Sequence, residues 1–348
     1  MNDWQRLLKW RWRRLQQRGK RQPLLLGTAV GVPLLAGVAL PGLARLWPEP
    51  APPPDHQARF EQLMEQVLSE NGSAAAHQHR PVAASPAPVP PPAMAPDLQV
   101  PSAAPARSSR LMIRVALAVD VPRLTLAGSR EVYLTRDNGQ ILATLPANRP
   151  VAATVTPEGA RLGDLPVGSG LWLQPAGQGL VAVDGRWYRG KLKLMATEQG
   201  LLAVNYVDLE QYLAGVVTSE MPASWPMEAL KAQAIAARSY AIVHMARPAN
   251  RAYDLGATPR WQAYGGVEGE SDAGRQAIAA TRGLLLSYRG GIVESLYAAT
   301  DQLVVEAHGH LGASMSQHGA RELAEQGYRF GQILSSYYRG AQLARLNF

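Results

Sequence analysis

Carboxylates beside breaks in regular structure are the side chains of this sequence best placed to move a proton, and Glu220 leads them. It follows the apolar stretch Tyr212–Val217, read as a strand or the end of a helix, and precedes Met221-Pro222 at the entry to an alanine-rich run. A carboxyl group held between apolar neighbours favours its neutral form and can act as a general acid near neutrality. The plainer alternative is that Glu220 caps a helix or closes an ion pair. Asp208, Glu210, Asp254, Glu268, Glu270 and Asp272 stand in polar contexts, so solvated carboxylates are expected there. Arg238 has Ile235 three residues before it and Ile242 four after, which sets a guanidinium on an apolar helix face. Such a cation either snorkels to water or meets an anion inside.

His308, His310 and His318 lie among Gly309, Gly312 and Gly319, which suggests a tight turn whose polar side chains line a cleft. An H-x-H pair with a third histidine has the ligand types for zinc, but its spacing fits no compact metal motif, and no metal or other cofactor is assigned. Gln262, Tyr264, Gly265 and Gly266 join an amide and an aromatic ring to a flexible turn, a set suited to sugar hydroxyls and rings and also common in ordinary loops. The absence of cysteine removes thiolate nucleophiles, disulfides and thiolate zinc sites. No nucleophile-elbow sequence and no phosphate-binding glycine loop is present.

The elements that must hold these residues change in character along the chain. Residues 111–207 read as short strands, at Met112–Val119, Glu131–Leu134, Leu171–Leu173, Leu180–Val183, Trp187–Met195 and Leu201–Val207, with turns at Asp137-Asn138-Gly139, Asp184-Gly185 and Glu198-Gln199-Gly200. From Pro222 the pattern is helical. A helix is expected over Trp225–Arg247 with Ser224 as N-cap, Pro226 and Glu228 in its first turn, and seven alanines to let neighbours approach. Further helices are expected over Asp272–Arg282, from a Ser316 cap to Gly327, and over Phe330–Tyr338. Leu284–Tyr288 and Ile292–Ala298 read as a hairpin about Arg289-Gly290-Gly291. The class is α+β, an antiparallel β-rich first half followed by a helix-containing half.

The 348 residues carry a net charge of +8, but residues 1–22 hold eight Lys/Arg against one Asp, so the excess belongs to a tail. A basic folded face is not indicated, and nucleic acid is not an expected partner. Pro23–Leu43 is uncharged and long enough to cross a bilayer. The basic residues before it place the N-terminus inside and the remainder outside. A retained anchor over 23–47 is favoured over a cleaved signal peptide with its site near Gly42-Leu43-Ala44. Residues 48–110 hold fourteen of the 27 prolines and read as an extended spacer, interrupted by an amphipathic helix at Asp55–Asn71. The sequence thus divides into a basic cytoplasmic tail (1–22), an anchor in the cytoplasmic membrane (23–47), a linker (48–110) and a folded domain (111–348) on the periplasmic or wall side.

The stretch from Asn205 through Arg238 to Tyr240, NYVDLEQYLAGVVTSEMPASWPMEALKAQAIAARSY, resembles the stage II sporulation protein D family, which includes amidase-enhancer proteins. The resemblance continues at Tyr253-Asp254-Leu255, Gln262–Val267, Thr281-Arg282-Gly283, Gly309–Tyr328 and Ile333–Tyr338. It implies an exported lytic transglycosylase acting in a C-shaped groove on peptidoglycan glycan strands stripped of their peptides, with a cell-wall amidase as a further partner. Glu220 stands at the family's catalytic glutamate, and Arg238 at an arginine associated with the substrate groove. Gln233, Gln262, Tyr264, His310, Ser316 and Gln317 are the other residues assigned to substrate. Two departures stand out: Ala298-Ala299-Thr300-Asp301-Gln302 replaces a serine-rich turn, and only Leu303–Ala307 remains of a long following stretch. These imply a narrowed groove or a wall-binding, amidase-stimulating module. The zinc of some relatives resembles a cysteine-containing site, which this chain does not reproduce.

Overall fold

The computed structural model describes residues 95–102, 110–157, 159–301 and 313–346. The basic tail, the anchor, the linker up to residue 94, the helix expected at Asp55–Asn71, His308 and His310 lie outside the described residues. Among the described residues no helix is long and apolar enough to cross a membrane.

Twelve strands fill the first half: β1 (Met112–Val121), β2 (Arg123–Gly128), β3 (Val132–Thr135), β4 (Ile141–Leu145), β5 (Val151–Thr156), β6 (Gly159–Leu162), β7 (Leu165–Pro166), β8 (Leu171–Pro175), β9 (Val181–Val183), β10 (Arg186–Tyr188), β11 (Lys191–Ala196) and β12 (Leu201–Asp208). With β13 (Leu255–Gly256) they form a seven-stranded sheet of order β13-β1-β12-β11-β8-β3-β4 and a six-stranded sheet of order β10-β9-β2-β5-β6-β7. Every pairing is antiparallel except β1 with β13. Period-two alternation sets the two faces: Ile113, Val115, Leu192 and Leu194 are buried, while Arg114, Lys191 and Lys193 point the other way. The single strand expected over Trp187–Met195 is two. The chain leaves one sheet at Tyr188 and enters the other at Lys191, turning through Gly190 (φ 81°), where a Cβ would come within 2.2 Å of the Tyr206 carbonyl oxygen.

Helix α1 (Leu209–Glu220) follows β12 directly, capped by the Asp208 carboxylate, which accepts from the N–H groups of Glu210 (3.0 Å) and Gln211 (3.3 Å). Helix α2 (Met227–Ala246) is buried along nearly its whole length, with alanines where α1, α3 (Asp272–Ala280), α4 (Gln317–Glu325), α5 (Phe330–Tyr337) and β14 (Leu284–Tyr288) pack against it. Its start differs from expectation: Ser224 does not cap it, and the N-cap position is Pro226, with no side-chain hydrogen bond. Glu228 in the first turn accepts instead from Lys231 Nζ (2.6 Å) and from the Phe330 N–H (2.9 Å), tying α2 to the start of α5. Ser316 does cap α4, its Oγ accepting from the Gly319 N–H at 3.1 Å.

The hairpin is shorter than expected. β14 pairs with β15 (Gly291–Ile292) on one side and β18 (Gln342–Arg345) on the other. Ser295 turns inward to donate to the Ala236 carbonyl (2.7 Å), and β16 (Leu296–Ala298) then pairs in parallel with β17 (Ser314–Ser316). Residues 95–102, expected in the spacer, lie against α5: Ser335 Oγ donates to the Pro96 carbonyl at 2.7 Å, and Leu98 packs on the core. The class is α+β, with a β-rich first part followed by helices and small sheets.

Candidate functional site

Glu220 ends α1 and is 9% exposed. The helix stops there because the backbone turns extended at Met221 ahead of Pro222. Its Oε1 accepts from the Ala263 N–H at 2.6 Å, and the Gln317 amide reaches Oε2 at 3.4 Å. Three segments far apart in sequence therefore meet at one carboxyl group: the end of α1, the loop at 262–264 and the start of α4.

Behind this carboxyl stands a tyrosine-amide network. Gln262 is wholly buried, its Oε1 accepting from Tyr212 Oη (2.8 Å) while its Nε2 donates to the Ala237 carbonyl (3.1 Å) and to Tyr297 Oη (2.8 Å). Burial raises Tyr212, Tyr240 and Tyr297 above the ordinary phenol range, and the nearby Glu220 charge raises them further. All three stay protonated at physiological pH, so they can only present hydroxyls.

The residues assigned from sequence take different places. Glu220 and Gln317 meet, and Ser316 sits beside them as the cap of α4. Gln262 and Tyr264 are framework: Tyr264 is buried, its hydroxyl donates to Asn205 Oδ1 (3.0 Å), and its ring packs between Tyr188 and Tyr212. Gly215 makes room for that ring, since a Cβ there would lie 2.8 Å from it. Arg238, expected at the groove, is fully buried. Its Nε and Nη2 donate to the two oxygens of Glu210, each at 2.8 Å, and its Nη1 donates to the Leu284 carbonyl at 3.0 Å. It has no surface with which to touch a ligand, and neither snorkels nor faces a groove. Gln233 is fully buried on α2, and its amide has no hydrogen-bond partner among the described residues. It stands four residues before Ala237 and three before Ala236, whose carbonyls receive Gln262 and Ser295, so it lies on the face of α2 turned toward the network.

The acids expected to be solvated are mostly not. Glu210 serves Arg238, Asp254 holds Arg114 through both oxygens, Glu270 holds Arg189, and Asp208 is the α1 cap. Each is fixed by an arginine or by backbone N–H groups that lie remote in sequence or are visible only in the folded helix end. His318 is exposed, its ring edge-on to Trp225 at 5.0 Å, and no group of three metal-binding side chains occurs among the described residues. Sequence reasoning missed Tyr212, Tyr240, Tyr297 and the Ala263 N–H. Helical spacing of 212 from 220 was the available signal for Tyr212; the others depend on tertiary contact.

The arrangement defines an α+β domain with one nearly buried, hydrogen-bonded carboxyl as its candidate acid/base. Residues 197–288 match the model of the family described as Stage II sporulation protein, so the likeness read from the motifs stands over this segment. An uncharacterized protein of Brachyspira hyodysenteriae is 36% identical over 118 residues, covering 34% of this chain and 32% of that protein. The amidase enhancer of Bacillus subtilis is 35% identical over 102 residues, 29% of this chain and 14% of its own. Stage II sporulation protein D of the same organism is 34% identical over 113 residues, 28% and 33% respectively. The chain thus spans a third or less of the length of these relatives.

Proposed function

We propose that this protein is an exported, membrane-anchored lytic transglycosylase that cleaves peptide-stripped glycan strands of peptidoglycan, with Glu220 as its single acid/base. The observation that carries the reading is Glu220 itself: a nearly buried carboxyl oriented by the Ala263 N–H, inside the segment similar to the sporulation family. The likenesses to a sporulation protein and an amidase enhancer support a sporulation- or cell-wall-related protein at the coarser level. In the proposed reaction, protonated Glu220 gives its proton to the glycosidic oxygen as the bond to muramic C1 breaks. The resulting carboxylate takes the proton of the C6 hydroxyl, whose oxygen closes on C1 to leave a 1,6-anhydro end. Gln317, whose amide reaches Glu220, is the amide assigned to sugar hydroxyls, while Arg238, Gln262 and Tyr264, and with them the fully buried Gln233, act by positioning. The anchor over 23–47 holds the domain on the outer side of the cytoplasmic membrane, where a cell-wall amidase would supply stripped strands.

A second reading follows from the likeness to the amidase enhancer and from the short segment after Ala298: a wall-binding module that stimulates an amidase without cleaving glycan. Incubating the full chain with peptide-free strands and with intact sacculi, followed by mass spectrometry of soluble products, separates the two. Anhydro-muramic ends from the wild type and a loss of about 100-fold or more with Glu220→Gln support the enzyme. Sedimentation with the glycan without any product, from wild type and variant alike, sinks it in favour of the module.

A further inference from the structure

The outward face of the seven-stranded sheet carries a cluster that the site at Glu220 does not use. Lys191 and Lys193 project from β11 on one side of the sheet, with Leu192 between them turned to the core. In register, Lys191 lies opposite Tyr206 of β12, and Lys193 opposite Trp172 of β8. The Trp172 indole N–H donates to Asp137 Oδ1 at 2.8 Å, and Lys193 Nζ donates to the same oxygen at 2.6 Å. Lys191 Nζ lies 4.2 Å from the centroid of the Trp172 ring, and the Tyr206 ring meets that indole edge-on at 4.6 Å.

The charges around Trp172 do not balance. Arg136, Lys191 and Lys193 stand here with Asp137, while Asp254, beyond Tyr206, is taken up by its ion pair with Arg114. Arg136 gives its N–H groups to the carbonyls of Pro166, Val167 and Gly170, and no carboxylate among the described residues lies within ion-pair distance of Lys191. Half-buried and beside a second ammonium, Lys191 has its pKa pushed down, first by burial and then by Lys193. The indole lines up this ammonium but does not neutralise it. An incoming carboxylate would meet a cation that is already partly desolvated and held in place, the condition under which a charge-assisted contact contributes most.

We infer that this face, centred on Lys191 and Trp172, is a docking strip for the carboxylates of a peptide-free glycan strand. The inference rests on the proposal that such strands are the substrate. Removal of the stem peptide from the lactyl group leaves one carboxylate on every second sugar, so a stripped strand is a polyanion whereas an intact one has those groups tied up as amides. The strip would favour stripped over substituted glycan and retain the chain on it.

The test measures binding of the full-length protein to peptide-free strands, and to the same strands with their carboxylates converted to neutral methylamides. Wild type should prefer the carboxylate form, with a preference that shrinks as salt rises. Lys191→Gln should weaken binding to carboxylate strands about tenfold and leave the neutralised strands unaffected. Asp137→Asn should tighten binding to carboxylate strands, a gain that a misfolded variant would not give. Equal binding by wild type and Lys191→Gln, or equal losses on both ligands, overturns the inference. Release of anhydro products is scored separately. A chain that makes none but binds in the Lys191-dependent way sinks the proposed cleavage and keeps the strip; a chain that cleaves while Lys191→Gln binds as wild type does the reverse.

Discussion

Removing the Glu210 carboxylate should unseat Arg238, and the size of the effect follows from the geometry. The guanidinium is fully buried, and its partner carboxylate is 9% exposed, so water screens neither. Two charge-assisted hydrogen bonds of 2.8 Å join them, and the Leu284 carbonyl takes a third donor. Glu210→Ala leaves a buried cation with backbone carbonyls alone, a cost of about 3–5 kcal/mol. That is a large share of the roughly 5–15 kcal/mol that holds a domain folded. Replacing both partners, Glu210→Leu with Arg238→Met, removes the charge together with its counter-ion and should return to within about 2 kcal/mol of wild type. Urea denaturation of the full chain, followed by tryptophan fluorescence, gives both numbers through the midpoint and slope. A Glu210→Ala midpoint within about 1 kcal/mol of wild type would refute the assignment of Arg238 as a buried framework ion. So would a double variant as unstable as the sum of the two single ones, because the pair would then carry no coupling. If the double variant folds, product release from glycan should persist, since Arg238 reaches no ligand.

Gln262→Ala should cost about 2–4 kcal/mol, because it opens a cavity and strands the hydroxyls of Tyr212 and Tyr297 together, again read from urea midpoints. His244 gives a pH dependence with a definite sign. Burial pushes its pKa below the ordinary 6.5, with Glu294 only partly opposing. The unfolded chain therefore binds a proton that the folded chain resists, and stability falls as pH drops below about 6.5. His244→Gln should flatten that decline between pH 7.5 and 5.5, and an unchanged slope would count against the assignment.

What was legible in the sequence was what local spacing encodes. The strands β1, β8 and β12, helix α2, the Ser316 cap and the turn at Asp184-Gly185 all announce themselves by alternation, helical periodicity or turn chemistry. Strands β4 and β5 do not, because their alternation is interrupted on half-exposed faces; Ile141, at the start of β4, is 59% exposed, whereas the alternation Arg123-Leu124-Thr125-Leu126 of β2 is a local signal that the strand reading passed over. Glu220 was visible because a carboxyl between apolar neighbours ahead of proline is a local signal. The partners of Arg238, Gln262 and Asp254 were not: Glu210, Tyr297 and Arg114 stand 28, 35 and 140 positions away, and only the packing of α1, β16 and β1 brings them in. The same limit explains why polar sequence context was mistaken for solvation at Glu210 and Glu270.

The contact of residues 95–102 with α5 bears on how the domain carries force. Tension on the chain ahead of residue 95 enters at α5, through the Ser335–Pro96 hydrogen bond and the seated Leu98, before it can reach β1. Helix α5 packs against α2, β17 and α4, and β17 runs straight into the Ser316 cap that sets Gln317 beside Glu220. The seat of residues 95–102 and the candidate acid/base are therefore mechanically in series, and a pull on the chain ahead of residue 95 loads the site's own scaffold before the two large sheets.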